Sequence, residues 1–255
     1  MVFYIFLFVF GALIGSFLNV CIYRIPLGRS IIWPSSRCTS CNSPIRAYDN
    51  IPIISYFFLL RGRCRYCKEK ISARYPLVEA LNAFLYLLVF WRFGPGRSSA
   101  IYCLLCSALI VITFIDIDFQ IIPDRITLPG IPIGIAAGSL LLPDPFLRAA
   151  ALGYKASLIG AVSGFAFFYM VAYLSLALLK KEGMGGGDIK LMAMVGGFLG
   201  WKAVILTTFL GSLFGSVIGI GLIVSRGREK GSLIRETDLI PPSPQEESGF
   251  PPGQG

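Results

Sequence analysis

Phe114-Ile115-Asp116-Ile117-Asp118-Phe119-Gln120-Ile121-Ile122-Pro123-Asp124 places three carboxylates within nine residues, between one long apolar run and the next. A charged Asp costs roughly 2.5–3.5 kcal/mol at the centre of a membrane helix, and less toward its ends. Three of them at such a junction fit two readings. One is a short polar loop with Pro123 as its turn. The other is a functional site waiting for a partner carboxylate elsewhere in the chain.

The surrounding sequence decides the solvent. The 255 residues are 55% hydrophobic and only 15% charged, with a mean hydropathy of +0.71. A soluble domain would carry about a quarter charged residues. Here the apolar residues gather into long blocks of the kind that span bilayers. The fold class expected is an all-α polytopic membrane protein. It has about seven membrane helices, with room for an eighth around residues 186–205, and a small cytosolic four-cysteine zinc-binding insertion after the first helix.

The net charge is +9, and its placement argues for a membrane surface rather than nucleic acid. From Arg24 to Arg74 there are ten Lys/Arg against two acids, Asp49 and Glu69. Basic residues beside a span mark its cytoplasmic side and attract anionic lipid. No basic segment interleaved with aromatics points to RNA or DNA. Histidine is absent, which excludes Ser–His and Cys–His catalysis and imidazole metal ligands. Chemistry must run on carboxylates, thiols, lysines or hydroxyls.

In chain order, residues 1–22 read as a first membrane helix rather than a cleaved signal, since no positive start or small-residue cleavage site accompanies them. Gly11, Gly15 and Ser16 give it a small-residue face, and Asn19 reads as a packing hydrogen bond. Residues 23–75 are polar and basic, with one apolar patch at Ile51–Leu60. Cys38-Thr39-Ser40-Cys41 and, twenty-two residues on, Cys64-Arg65-Tyr66-Cys67 form two C-x-x-C knuckles. Two such pairs point to a closed tetrahedral zinc site with a structural role. Disulfides are disfavoured where basic flanks indicate a reducing cytosol.

Membrane helices are expected at Tyr75–Arg92, Ser98–Ile115, Ile126–Leu142, Ala156–Leu179 and Ala203–Val224, with a short sixth at Leu191–Leu199. Glu79 falls in the first turns of the second, where the helix dipole favours an acid. Cys103 and Cys106 read as apolar filler. Residues 76–225 would form the main membrane domain, and 226–255, with Pro241-Pro242-Ser243-Pro244, a disordered cytosolic tail. Counting crossings puts Asp116, Asp118, Asp124 and Asp188 at inner helix ends, on one side of the membrane.

Two carboxylates sharing one site of low dielectric hold one proton between them. The ionised one can activate water while the other donates to a scissile carbonyl oxygen, hydrolysing an amide without histidine or metal. Gly183-Met184-Gly185-Gly186-Gly187-Asp188-Ile189-Lys190 supplies the fourth acid. Its glycines would let an extended substrate approach and would unwind the helix start so that water enters. It lacks the strand and the GK[ST] ending of a nucleotide loop.

Gly185-Gly186-Gly187-Asp188, with Asp116 seven residues before Pro123, resembles the type IV prepilin peptidases, a family of GxGD-type membrane aspartyl proteases. The resemblance extends to Gly15-Ser16-Phe17-Leu18-Asn19-Val20, Tyr23-Arg24-Ile25-Pro26, both cysteine pairs and Arg74-Tyr75-Pro76-Leu77-Val78-Glu79. It covers about residues 11 to 200. It implies cleavage of a short basic leader from type IV prepilin or pseudopilin precursors at the cytoplasmic face of the inner membrane. It also implies N-methylation of the new terminus from S-adenosylmethionine, and the intact cysteine pairs favour this two-activity form. By motif position the catalytic pair is Asp116 and Asp188. Asp118, Asp124, Gly185, Gly187 and Lys190 are supporting candidates: Asp118 is out of helical phase with Asp116, and Asp124 would cap the fourth helix or hold Arg125. Cys38, Cys41, Cys64 and Cys67 would be the metal ligands.

Two other functions compete. Intramembrane aspartates also build ion paths, so a proton- or cation-coupled transporter is the main alternative, although the inverted repeats it predicts are not visible in the sequence. A zinc-anchored scaffold for a secretion assembly is the other.

Overall fold

The structure is a computed structural model, and it describes residues 1–33, 35–38, 40–146, 151–180 and 184–237. Among these residues the chain is helical, without named strands, in the order α1 (Val2–Arg24), α2 (Arg74–Phe93), α3 (Arg97–Phe119), α4 (Asp124–Leu140), α5 (Gly153–Leu179), α6 (Gly186–Leu199) and α7 (Trp201–Thr237). Five of them are long and apolar enough to cross a membrane: α1, α2, α3, α5 and the first part of α7. The protein is multi-pass. α4 and α6, with 17 and 14 residues, are the short ones.

Residues 1–204 form one compact unit and 205–255 a second. In the first unit, α1, α2 and α3 pack on one another, as do α4, α5 and α6. One buried cluster runs through both groups, with Leu7, Tyr86, Ile112, Ala137, Met194 and Phe198 among its members. The second unit, so far as it is described, is the remainder of α7.

Lipid tails are as apolar as leucine, so membrane helices associate through close packing and hydrogen bonds rather than the hydrophobic effect. Both devices are present. A side chain on Gly11 would meet the Ala83 Cα at 2.8 Å, and one on Gly15 the Glu79 Cα at 2.6 Å, so α1 and α2 touch backbone to backbone. In the second group, a Cβ on Gly160 of α5 would collide with the Gly196 carbonyl oxygen of α6. Gly134 and Gly138 of α4 leave room for the Phe198 ring and the Gly197 carbonyl. Hydrogen bonds add a buried chain through α1, α2 and α3. Asn82 donates to the Gly11 carbonyl (2.7 Å), and Ser107 donates to the Asn82 Oδ1 (2.8 Å) while also bonding the Tyr86 hydroxyl (3.1 Å). Asn19 has the packing role expected of it, donating to the Tyr75 carbonyl at 3.1 Å.

Several expected boundaries move. α3 continues to Phe119, so Asp116 and Asp118 lie on a helix and not in a loop. Nothing between Ile115 and Phe119 breaks a helix; the stop is the left-handed Gln120 (φ 54°), followed by Pro123. α6 starts at Gly186 rather than Leu191. The expected unwinding of its glycines is therefore confined to Gly185, which is extended at the N-cap. α4 starts at Asp124, two residues earlier than expected. Finally, α7 is helical to Thr237, beyond its expected end at Val224. Loss of apolarity after Val224 marks the end of membrane-compatible sequence, not the end of the helix. The Pro-rich part of the tail, 238–255, and Lys181-Glu182-Gly183 lie outside the described residues.

The α5–α6 contact supplies a direct test of the packing account. Gly160→Leu forces the Gly196 backbone away, and overpacking of this kind costs about 1–3 kcal/mol or more. Its thermal midpoint in detergent is expected to fall by several degrees. Gly96→Ala, with nothing within 4 Å of the added methyl, is expected to leave it unchanged.

Candidate active site

Four of the sequence's acids gather at one end of the first unit, where α3 stops, α4 begins and α6 begins. Asp116 is exposed on the last turn of α3, and its carbonyl accepts the Gln120 N–H at 2.8 Å as the helix closes. Asp188 is half-buried in the first turn of α6, its N–H donating to the Gly185 carbonyl at 3.2 Å. Its side chain lies within electrostatic reach of Asp116. Two acids 72 residues apart in sequence, one from each group of helices, thus share one neighbourhood.

Two ion pairs flank them. Lys190 Nζ lies 2.7 and 2.8 Å from the two oxygens of Asp124. Asp124 therefore holds Lys190, where a cap on the fourth helix and a hold on Arg125 were the two expectations, and this bond joins the start of α4 to the start of α6. Close beside this pair, a Cβ on Gly187 would meet the Ile122 Cβ at 2.7 Å. Gly187 is needed for that approach, whereas Gly186 has open space around it. The second pair is Arg74 with Asp118, joining the start of α2 to the end of α3, with the Arg74 guanidinium also 5.2 Å from the centre of the Phe114 ring. Asp118 is thereby turned to Arg74, in keeping with its being out of helical phase with Asp116.

Glu79, which the helix dipole alone would favour, has a partner in the structure. It is buried on α2, and one carboxylate oxygen accepts the Ile53 N–H at 2.7 Å. No periodicity announces that bond, because Ile53 reaches it from an irregular segment.

The cysteine segment folds as two near-identical knuckles. Cys38 N–H donates to the Ser43 carbonyl and Asn42 N–H to the Cys38 carbonyl, both at 3.0 Å. Cys64 N–H and the Glu69 carbonyl (2.8 Å), and Lys68 N–H and the Cys64 carbonyl (3.1 Å), repeat the pattern. Asn42 and Lys68 both take the left-handed conformation that turns each knuckle. Arg65 between the second pair of cysteines grips the buried Asp49 through two bonds, of 2.9 and 2.5 Å, and holds its carboxyl below the usual range.

The four thiols are free, and their sulfurs lie within 4.8 Å of one another, with Cys38–Cys67 at 3.8 Å and Cys41–Cys64 at 3.9 Å. Tetrahedral ligands 2.3 Å from a metal stand about 3.8 Å apart. The donor set thus fits a metal ion. The Ser43 side chain and backbone draw the Cys41 thiol down to about 6. Cys67 receives a lowering backbone bond at Glu69, yet burial and the three neighbouring thiols push it up to about 12. Four sulfurs so close cannot all ionise without a cation among them. Cys103 and Cys106 join no such group: Cys103 is buried in the core and Cys106 packs against it.

Residues 9–93 match the family model described as the bacterial Peptidase A24 N-terminal domain, and residues 103–220 match that of the type IV leader peptidase family. A relative from Myxococcus xanthus is 41% identical over 226 residues, covering 89% of this chain and 65% of its own. Relatives from Aeromonas hydrophila (38% over 251 residues) and Neisseria gonorrhoeae (38% over 244 residues) cover 88% and 86% of this chain, and each is itself covered over 82% of its length. All three are named prepilin leader peptidase/N-methyltransferase. No solved structure matches the chain. By two successive domain matches and by relatives aligned over most of its length, the chain belongs to the type IV leader peptidase family.

Proposed function

We propose that the chain is a membrane aspartyl endopeptidase. It removes the short basic leader of type IV prepilin or pseudopilin precursors at the cytoplasmic face of the inner membrane and then N-methylates the new terminus. The observation that carries this reading is the placing of Asp116 and Asp188, from separate helix groups, within electrostatic reach of one another. The relatives' shared name supports both activities, and no relative supports the transporter.

Asp116 and Asp188 are the catalytic pair. One carboxylate, ionised, takes a proton from a water as its oxygen attacks the scissile carbonyl carbon. The other, protonated, donates to the carbonyl oxygen, giving a neutral tetrahedral diol. When the diol collapses, the carboxyl that gained the water's proton passes it to the departing amine, the C–N bond breaks, and a diol hydroxyl returns its proton to the other carboxylate as the carbonyl re-forms. The titration belongs to the pair. Lys190 with Asp124, and Gly187 against Ile122, hold the start of α6 in register. Gly185, extended before the helix, leaves backbone open beside Asp188 for an extended peptide.

Residues 23–75 form a cytosolic zinc-binding insertion, with Cys38, Cys41, Cys64 and Cys67 as its four ligands, and residues 76–225 the peptidase domain. Zinc when bound would be structural, since the thiolates fill all four positions. Methyl transfer from S-adenosylmethionine rests on the relatives' name, and the described residues identify no cradle for it.

Three outcomes are expected. Asp116→Asn and Asp188→Asn should each lower leader cleavage by at least about 10²–10⁴, the range for lost acid–base catalysis, with protein levels unchanged; processing at the normal rate in either variant excludes the pair. Purified protein should contain about one zinc per chain, as four-thiolate sites do, and Cys64→Ser should lose it. Metal analysis showing none, with all four thiols titratable, would end the zinc assignment. With S-adenosylmethionine present, the product N-terminus should gain the mass of one methyl group; cleavage without that gain confines the enzyme to its first activity.

A further inference from the structure

The turn between the two cysteine knuckles is built inside out for a water-facing segment. Ile54, Phe57, Phe58 and Leu59 point outward, Phe58 being 78% exposed, while Ser55 is buried. Tyr56 turns its hydroxyl inward to donate to the Ile71 carbonyl at 3.3 Å, and its ring covers Gly62. A turn bathed in water would show the hydroxyls and hide the rings.

Its depth fits the same conclusion. The Ile53 N–H meets Glu79, and the Glu79 backbone packs against Gly15 of α1. Gly15 is nine residues before the end of α1 at Arg24, about 13 Å along a helix of 1.5 Å rise per residue. Ile53 therefore lies beside the apolar run of α1, not beyond its end. It is held there in a left-handed conformation (φ 62°) that β-branched residues rarely adopt. Backbone groups in the turn bond internally, as an apolar medium requires: Ser55 N–H to the Ile51 carbonyl (3.1 Å), Leu60 N–H to that of Ser55 (2.7 Å) and Gly62 N–H to that of Tyr56 (2.8 Å). Arg61 and Arg63 follow at once, in a segment whose basic excess suits anionic headgroups.

We infer that Ile51–Leu60 is an interfacial wedge. It seats the rings of Phe57 and Phe58 in the acyl boundary of the leaflet beside the cysteine segment, with Arg61 and Arg63 at the anionic headgroups. The wedge fastens the knuckles to the bilayer surface through Glu79. The occupant of the exposed face is lipid of the chain's own membrane. A docked protein helix is the alternative that the test must exclude.

The test is a photo-reactive benzoylphenylalanine at position 58 of the full chain, in nanodiscs containing phosphatidylglycerol. The same probe at Leu13, an exposed position on the span α1, shows that lipid labelling works. Mass spectrometry is expected to find lipid adducts at both positions, and fewer at position 58 than at Leu13 when the discs are purely zwitterionic. Lipid adducts at Leu13 with none at position 58 overturn the inference. So do adducts at position 58 to a second copy or to an added pilin precursor in place of lipid. Neither reading of this experiment depends on leader cleavage.

Discussion

A lysine ammonium resting on both oxygens of an aspartate, with a glycine pressed against an isoleucine beside it, fixes the start of α6 on the start of α4. Lys190–Asp124 and Gly187–Ile122 both fasten onto the short passage that leaves α3. An exposed ion pair alone contributes little, but here it acts together with a backbone contact that tolerates no side chain. The passage is short because Gln120 turns it in the left-handed region and Pro123 opens the next helix. Asp116 and Asp188 sit immediately on either side of this junction. Lengthening it or loosening either contact would shift the two acids relative to one another.

The rest of the first unit keeps that junction rigid. Glycine contacts draw α5 onto α6 and α4 onto α6, so the helix carrying Asp188 is clasped on two sides. On the other side, Arg74 holds the end of α3 through Asp118, and α2 is in turn bound to α1 through Asn82 and Gly11. The cysteine segment joins the same framework at Glu79. The cysteine knuckles and the end of α3 that carries Asp116 are therefore linked through α2, whose first two turns carry Arg74 and Glu79.

Much of this was legible in the sequence because membranes impose strong rules. Apolar runs located the seven α-helices, the C-x-x-C spacing located the knuckles, and counting crossings put the four aspartates on one side. Helix ends were less legible: acids at 116 and 118 look like a loop to a hydropathy reading, although only Gln120 and Pro123 stop the helix. Glycines 186 and 187 read as an unwound helix start, yet both are helical and Gly187 is a packing surface. The i, i+4 spacing of Gly130, Gly134 and Gly138 on α4, and of Gly160 and Gly164 on α5, is a readable signal of the close packing of both helices on α6. Which lysine meets which aspartate was not readable, since Asp124 and Lys190 are far apart in sequence and meet only through tertiary structure. The bond from Ile53 to Glu79 was hidden for the same reason.

The central claim is that one protonated and one ionised carboxylate act together. Its most direct measurement is the pH dependence of leader cleavage by the unaltered chain, followed on a leader-bearing pilin precursor in membranes. The account predicts a bell: the rate rises as the first acid of the pair ionises and falls as the second does. A rate that climbs through a single limb and stays level at high pH would contradict it.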